Sequence, residues 1–342
     1  MEAPGIKPES RKDRTRASAF PPCLLTPQGW SEGIDIYTES AAVRELQYNR
    51  NGMHQMDEIN RPESNRARAV LILLCLISGC LVMGIGMYLH LLVPIMPVGL
   101  LRGIQVAVIA GFLLSALTLF KNVHLKKYWR LAFCYFTAAC AVVLSNYTGN
   151  WALDISGQSF DTARGFTVLK LAEDATIVGT IIVLMLLTRD DPRELCLTKG
   201  RLGRGLIIGL PAFLVLTFVG LSSAVSQFDD PDQVREVILI FGLISLADGL
   251  MEELLFRGLF LKRIARFVGN DWAILVTALV FTFAHEIYFE TPGMFPVVFA
   301  CGLLLGWVMQ KTESVLAPAL LHAGLIMVTI AGWLERYFGI SV

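Results

Sequence analysis

Nine apolar runs follow residue 68, each near the ~20 residues that a helix needs to cross hydrocarbon. They lie at about 69–93, 103–120, 129–147, 165–188, 205–225, 235–256, 272–289, 294–310 and 315–335. In hydrocarbon every backbone N–H and C=O must find its partner within the protein, so such runs fold as helices. The expected fold class is all-α: a polytopic transmembrane helix bundle of about nine spans behind a polar N-terminal tail. Composition agrees, with 54% of residues hydrophobic and 17% charged, against about a quarter charged in soluble chains. The fourth run is the least clean, because Lys170, Glu173 and Asp174 lie near its start; the eighth is short.

Residues 1–68 are polar, with scattered Pro, Gly, Ser and Asn and no sustained period. They read as a flexible cytoplasmic tail, with Met53 and Met56 as alternative starts. The first apolar run begins near Ala69, too late for a cleavable signal peptide, so it reads as an anchor that stays. Residues 69–190 form a four-span membrane region and residues 191–342 a second one.

Basic residues collect on the cytoplasmic side of a membrane protein. Arg61, Arg66 and Arg68 precede the first span, and only Arg102 follows it. Lys121, Lys126, Lys127 and Arg130 fill the next loop, and then Arg164 stands alone. Arg189, Arg193, Lys199, Arg201 and Arg204 come next, followed by an acidic loop with Asp229, Asp230 and Asp232. Arg257, Lys262, Arg263 and Arg266 follow the sixth span, residues 290–293 hold no base, and Lys311 follows the eighth. The alternation places the N-terminus in the cytoplasm and, with nine spans, the C-terminus outside. It describes a multi-pass protein of the cell (inner) membrane whose solvent is the lipid bilayer. Zero net charge gives no electrostatic footprint for nucleic acid. The seven cysteines form no CxxC pair and mostly lie in apolar runs, so they read as buried free thiols.

A charged side chain at mid-bilayer costs roughly 2.5–3.5 kcal/mol even on insertion scales, so such residues are functional candidates by default. Spans one, two, three, five and eight hold none in their interiors. Spans six, seven and nine carry Asp248, Glu252 and Glu253, then His285 and Glu286, then His322. The sixth helix is expected to run on as a basic amphipathic stretch from Arg257 to Arg266, which sets Glu252 roughly 15–20 Å from its basic end. His285 lies roughly 20 Å in from Trp272, and His322 roughly 12 Å in from Ser314. Three spans thus bring ionisable groups to comparable depth, as one site would require.

Helical phase sorts these residues. Glu253 and Arg257 are four apart and can pair on one face. Glu252 points about 100° away, toward a cavity. Asp248 shares the face of Glu252, either as a neighbour that tunes a general base or as a helix-packing hydrogen bonder. Lys170, Glu173 and Asp174 have the i, i+3, i+4 spacing of a self-neutralising cluster.

Glu252-Glu253-Leu254-Leu255-Phe256-Arg257 resembles the EExxxR motif of the CPBP family, which includes type II CAAX prenyl endopeptidases and bacteriocin self-immunity relatives. Phe281-Thr282-Phe283-Ala284-His285 resembles its FxxxH motif, and SVLAPALLHA, from Ser314 to Ala323, its third motif with His322. The likeness covers residues 235–335 and makes 191–342 a CPBP-like domain. It implies an intramembrane endopeptidase acting on a membrane-associated or lipidated protein or peptide. Glu252 would activate a water, assisted by His285, while His322 stabilises the oxyanion; Glu253, Arg257, Phe281 and Asp248 would support them. It favours a site without metal or other cofactor; zinc is possible, with Glu252, His285 and His322 as ligands, though no HExxH spacing demands it. The family commonly carries asparagine four residues after the third-motif histidine, where this chain has Ile326. A non-catalytic scaffold or immunity protein, or a proton-coupled carrier, could use the same buried groups. A carrier of common type would show an internal repeat, and the first half of the chain holds no second copy of the polar cluster.

Overall fold

The structure, a computed structural model, describes residues 63–88, 94–188, 199–224, 231–285 and 293–329. Nearly all of the predicted tail, Glu286, and the end of the ninth run beyond 329 lie outside the described residues. Every regular element among the described residues is helical. Helix α1, Asn65–Met83, starts where the Ser64 hydroxyl accepts from the Ala67 N–H, and runs on as a π-helix, Gly84–Tyr88. Helix α2 is Val98–Lys121, following Pro97. Helix α3, Trp129–Ser156, stops at Gly157 with φ of 63°, a left-handed conformation that glycine adopts without steric cost. Helix α4, Ala163–Leu187, is capped by Thr162, and α5, Lys199–Ala224, contains Pro211. Helix α6, Pro231–Glu253, passes into a π-helix, Leu254–Leu261, and then α7, Lys262–Val268. Helices α8, Asn270–His285, α9, Met294–Thr312, and α10, Leu316–Val328, complete the order.

Among the described residues, five helical segments are long and apolar enough to cross a membrane: Asn65–Met87, Val98–Lys121, Lys126–Ser156, Leu202–Ser222 and Met294–Thr312. The other four predicted runs fall on α4, α6, α8 and α10, which carry the intramembrane charges or are shorter. The outward faces are apolar, with Ile207 75% and Phe218 74% exposed on α5. A surface of that kind suits lipid rather than water.

The sixth helix does not run straight on as the expected basic amphipathic stretch: a buried π-helix intervenes, and α7 after it carries half-buried Lys262 and exposed Arg266. All eight residues of Leu254–Leu261 are buried, Arg257 included, and Arg263 is buried as well. The segment is apolar on every side apart from Arg257, so it belongs to the core rather than to an interface. Phe260 stacks on Tyr135 of α3 at 5.2 Å, and the Cys134 thiol donates to the Leu259 carbonyl at 3.3 Å. The first half of the bundle therefore packs directly on the charged segment of the second. Near the start of α1, Glu63 accepts from Lys127 at 2.6 Å and Tyr128 at 2.7 Å, tying α1 to the loop before α3. Burial pushes the Glu63 carboxyl up, but these two hydrogen bonds and the Lys127 charge outweigh it and leave it below its ordinary value.

Helix α10 lies against both α5 and α6, while α8 packs on α9 and α1, and α4 on α6. Without a hydrophobic drive between helices in lipid, close approach at small residues holds such pairs. A Cβ on Gly249 of α6 would stand 2.7 Å from the Ala319 carbonyl oxygen and 2.9 Å from the Ala323 nitrogen of α10. Gly249→Ala is expected to push α10 away and destabilise the protein by about 1–3 kcal/mol, the usual range for overpacking. Gly242→Ala on the same helix, with nothing within 4 Å of the added carbon, is expected to leave stability unchanged or slightly raised. Thermal unfolding of both variants in detergent checks the pair.

Candidate active site

Three helices deliver one cluster. Glu252, in the last turn of α6, sets Oε2 3.3 Å from Nε2 of His285 at the end of α8, and 3.8 Å from Nε2 of His322 on α10. The Glu252 and His285 side chains are 17% and 19% exposed and His322 is 7% exposed, so the cluster is sheltered yet reachable. Immediately behind it, Glu253 and Arg257 are both 0% exposed and paired at 2.8 Å. Consecutive glutamates thus have different surroundings, because one helical step turns the second from the partly exposed cluster into the sealed interior.

The hydrogen bonds behind the rings decide where protons sit. Nδ1 of His285 lies 2.8 Å from the Phe281 carbonyl. A carbonyl only accepts, so Nδ1 carries hydrogen, and in the neutral ring Nε2 is the bare nitrogen facing Glu252. Two acceptors cannot face each other at 3.3 Å without a proton between them, so this contact holds one proton, on the ring or on the carboxyl. Nδ1 of His322 lies 3.1 Å from Glu253 Oε1. That oxygen also accepts from Arg257, which makes it an ionised acceptor. His322 therefore donates from Nδ1 and turns Nε2 toward Glu252.

Arg257 knits the support together. It donates to Glu253 at 2.8 Å and to the Gly302 carbonyl of α9 at 3.0 Å. Its guanidinium lies 4.5 Å from the centre of the Phe281 ring, a cation–π distance. Phe281 in turn lies tilted against His285 at 4.3 Å and meets His322 edge-on at 5.4 Å. A Cβ on Gly302 would lie 3.3 Å from the Phe281 ring, so α8 and α9 meet without room for one.

All seven residues singled out in the sequence fall in or beside this cluster, though Asp248 takes a partner the spacing did not reveal. Lys170 of α4 reaches Asp248 at 2.9 Å, and Glu173 and Asp174 at 3.8 Å each. The expected i, i+3 and i, i+4 contacts are present, yet the shortest one crosses to α6. The bridging role of Glu253 between Arg257 and His322 also went unseen. Its only signal was the adjacency of two glutamates, one of them four residues before an arginine.

A carboxylate and two imidazoles thus gather at one place inside an all-helical body, a set of groups able to hold and pass a proton. Residues 234–328 match the Rce1-like family model, described as type II CAAX prenyl endopeptidase Rce1-like. The matched stretch runs from α6 to the end of α10 and contains all three motif segments, so over these residues the chain is similar to that family. No curated protein and no solved structure matches the chain.

Removing one partner of the sealed pair leaves an uncompensated charge in a low-dielectric interior, at a cost of about 3–5 kcal/mol. Arg257→Met is expected to destabilise by that amount and to free Glu253. The double variant Arg257→Met with Glu253→Leu is expected to recover most of the stability but not the orientation of His322. Denaturant unfolding of the single and double variants in micelles measures the difference.

Proposed function

We propose that this protein is an intramembrane endopeptidase that cleaves a membrane-associated or lipidated protein or peptide with a water activated by Glu252. One observation carries the reading: Glu252, His285 and His322 converge within the span of the protease-family match. Nine spans with a cytoplasmic N-terminus and a multi-pass place in the cell membrane complete it, resting on the alternation of loop charges.

The chemistry follows from the proton inventory. A water seated between Glu252 and His285 gives its proton to the carboxylate as its oxygen attacks the scissile carbonyl carbon. The new oxyanion lies toward His322, which stabilises it while Glu253 accepts from Nδ1 and holds the ring in place. When the tetrahedral centre collapses, the C–N bond breaks. The proton held by Glu252 and His285 passes to the departing nitrogen. Arg257 and Phe281 do not touch the reacting atoms; they hold Glu253 and the two rings.

The same three side chains also fit a divalent cation such as zinc. Their ligand atoms lie within 4.8 Å of one another, and both rings are fixed from behind, as metal-bound histidines are. A bound ion would supply a lowered water pKa. The lack of HExxH spacing favours the metal-free site. Glu252→Gln is expected to lower cleavage of a membrane peptide by at least ~10²-fold, the scale of a lost general base. Elemental analysis of active protein is expected to find no stoichiometric zinc; zinc at one per chain whose removal abolishes turnover selects the cation reading.

Ile326 favours a second reading, a non-catalytic scaffold or immunity protein. It sits on α10 one turn after His322, half-buried, and cannot donate to an oxyanion. Under the protease reading Ile326→Asn should raise cleavage or leave it unchanged, since one added oxyanion donor is worth up to ~10²–10³ in rate. No cleavage by either protein, together with a normal cellular phenotype for Glu252→Gln, selects the non-catalytic reading.

A further inference from the structure

The end of the bundle where α2, α4 and α6 begin is the one where the alternation of loop charges leaves bases scarce, so a cation kept there needs a separate reason. Among the described residues, Arg102, Arg164 and Arg235 stand near those helix starts. Arg102 lies over the Tyr147 ring at 5.9 Å. The other two, one from each half of the chain, meet at one cavity of about 670 Å³, a size usual for small-molecule sites. Both arginines are exposed. Arg164 is the second residue of α4 and Arg235 the fifth of α6. Gln158, in the loop after α3, lines the cavity with them.

One turn further along the same helices the walls become apolar, with Val168 on α4 and Leu239 and Ile240 on α6. At 1.5 Å per residue, Val168 lies about 6 Å deeper than Arg164, and Ile240 about 7.5 Å deeper than Arg235. Two guanidiniums at the helix ends and an apolar wall inside them follow the order of polarity in a phospholipid. Guanidinium forks match phosphate oxygens in a bidentate fashion, which a hydrocarbon chain alone would not use. A soluble anion would leave the apolar wall uncovered, with Leu239 62% exposed. Two cations facing one phosphodiester favour a headgroup of net negative charge over a zwitterionic one.

We propose that this cavity binds one anionic phospholipid: Arg164 and Arg235 take the headgroup phosphate, and Val168, Leu239 and Ile240 hold the upper part of an acyl chain. The lipid bridges α4 of the first half of the chain and α6 of the second. This site is separate from the Glu252 cluster and does not depend on the protease reading.

Native mass spectrometry of the full-length protein in nonionic micelles, titrated with phosphatidylglycerol or phosphatidylcholine, tests it. One phosphatidylglycerol per chain is expected to bind saturably, and phosphatidylcholine several-fold more weakly. Arg164→Gln and Arg235→Gln should each weaken phosphatidylglycerol by about fivefold, and together by about 25-fold, on the scale of one surface cation each. Arg102→Gln, at the same end but outside the cavity, should leave binding unchanged. Inorganic phosphate at the lipid's own concentration should not displace it, because it has no chain for the inner wall. Equal binding of the two lipids, or wild-type binding in the double variant, overturns the proposal. So does an equal loss in Arg102→Gln, which would mean diffuse attraction to that end of the protein. Displacement by equimolar phosphate replaces the lipid with a free anion and also overturns it. If the double variant does not fold, Val168→Trp decides: it keeps both cations, fills the inner half of the cavity, and must lower phosphatidylglycerol binding.

Discussion

The buried ion pair of Glu253 and Arg257 is the interaction on which the rest of the site depends. Two charges sealed from solvent inside a membrane protein are stable only when their geometry is good and their remaining donors and acceptors are used. Arg257 spends two donors, on Glu253 and the Gly302 carbonyl, and lays its face on Phe281, while its Nε and the second Glu253 oxygen are buried without a partner among the described residues. Glu253 uses the same oxygen to hold His322. One pair thereby fixes α6, the π-helix, α8, α9 and α10 relative to one another. It does so at the level where Glu252, one residue earlier, meets His285 and His322.

That arrangement needs helices closer together than large side chains permit. Gly249 lets α10 approach α6, and Gly302 lets α9 approach Phe281. The π-helix after Glu253 is part of the same solution, since its eight buried residues fill the centre of the bundle between α3 and α8. Wide helical turns of this kind recur near functional sites. Glu253, Arg257 and Arg263 thus sit in a tightly built interior. Glu252 and His285 remain partly exposed, as do Lys170 and Asp248.

Much of this was readable from the sequence, and for physical reasons. Runs of about twenty apolar residues admit one backbone solution in lipid, so the helical class was determined by composition alone. Charges are expensive there, so Glu252, His285 and His322 announced themselves, and the four-residue step from Glu253 to Arg257 predicted their pair. The fate of residues 254–266 was misjudged. A cluster of basic residues after a span reads as an interface, and only contact with α3 and α8 shows that Arg257 and Arg263 are inside.

What the sequence by itself determined is an all-helical membrane bundle, the residues too costly to bury without purpose, and the pairings within a single helix, because those follow from local spacing and transfer free energy. What only the tertiary structure decided is which helix meets which. The bond from His322 to Glu253, the hold of Arg257 on the Gly302 carbonyl and the reach of Lys170 to Asp248 all join residues far apart in the chain. No local period encodes such contacts; they exist only once close-packed helices bring a donor on one within reach of an acceptor on another.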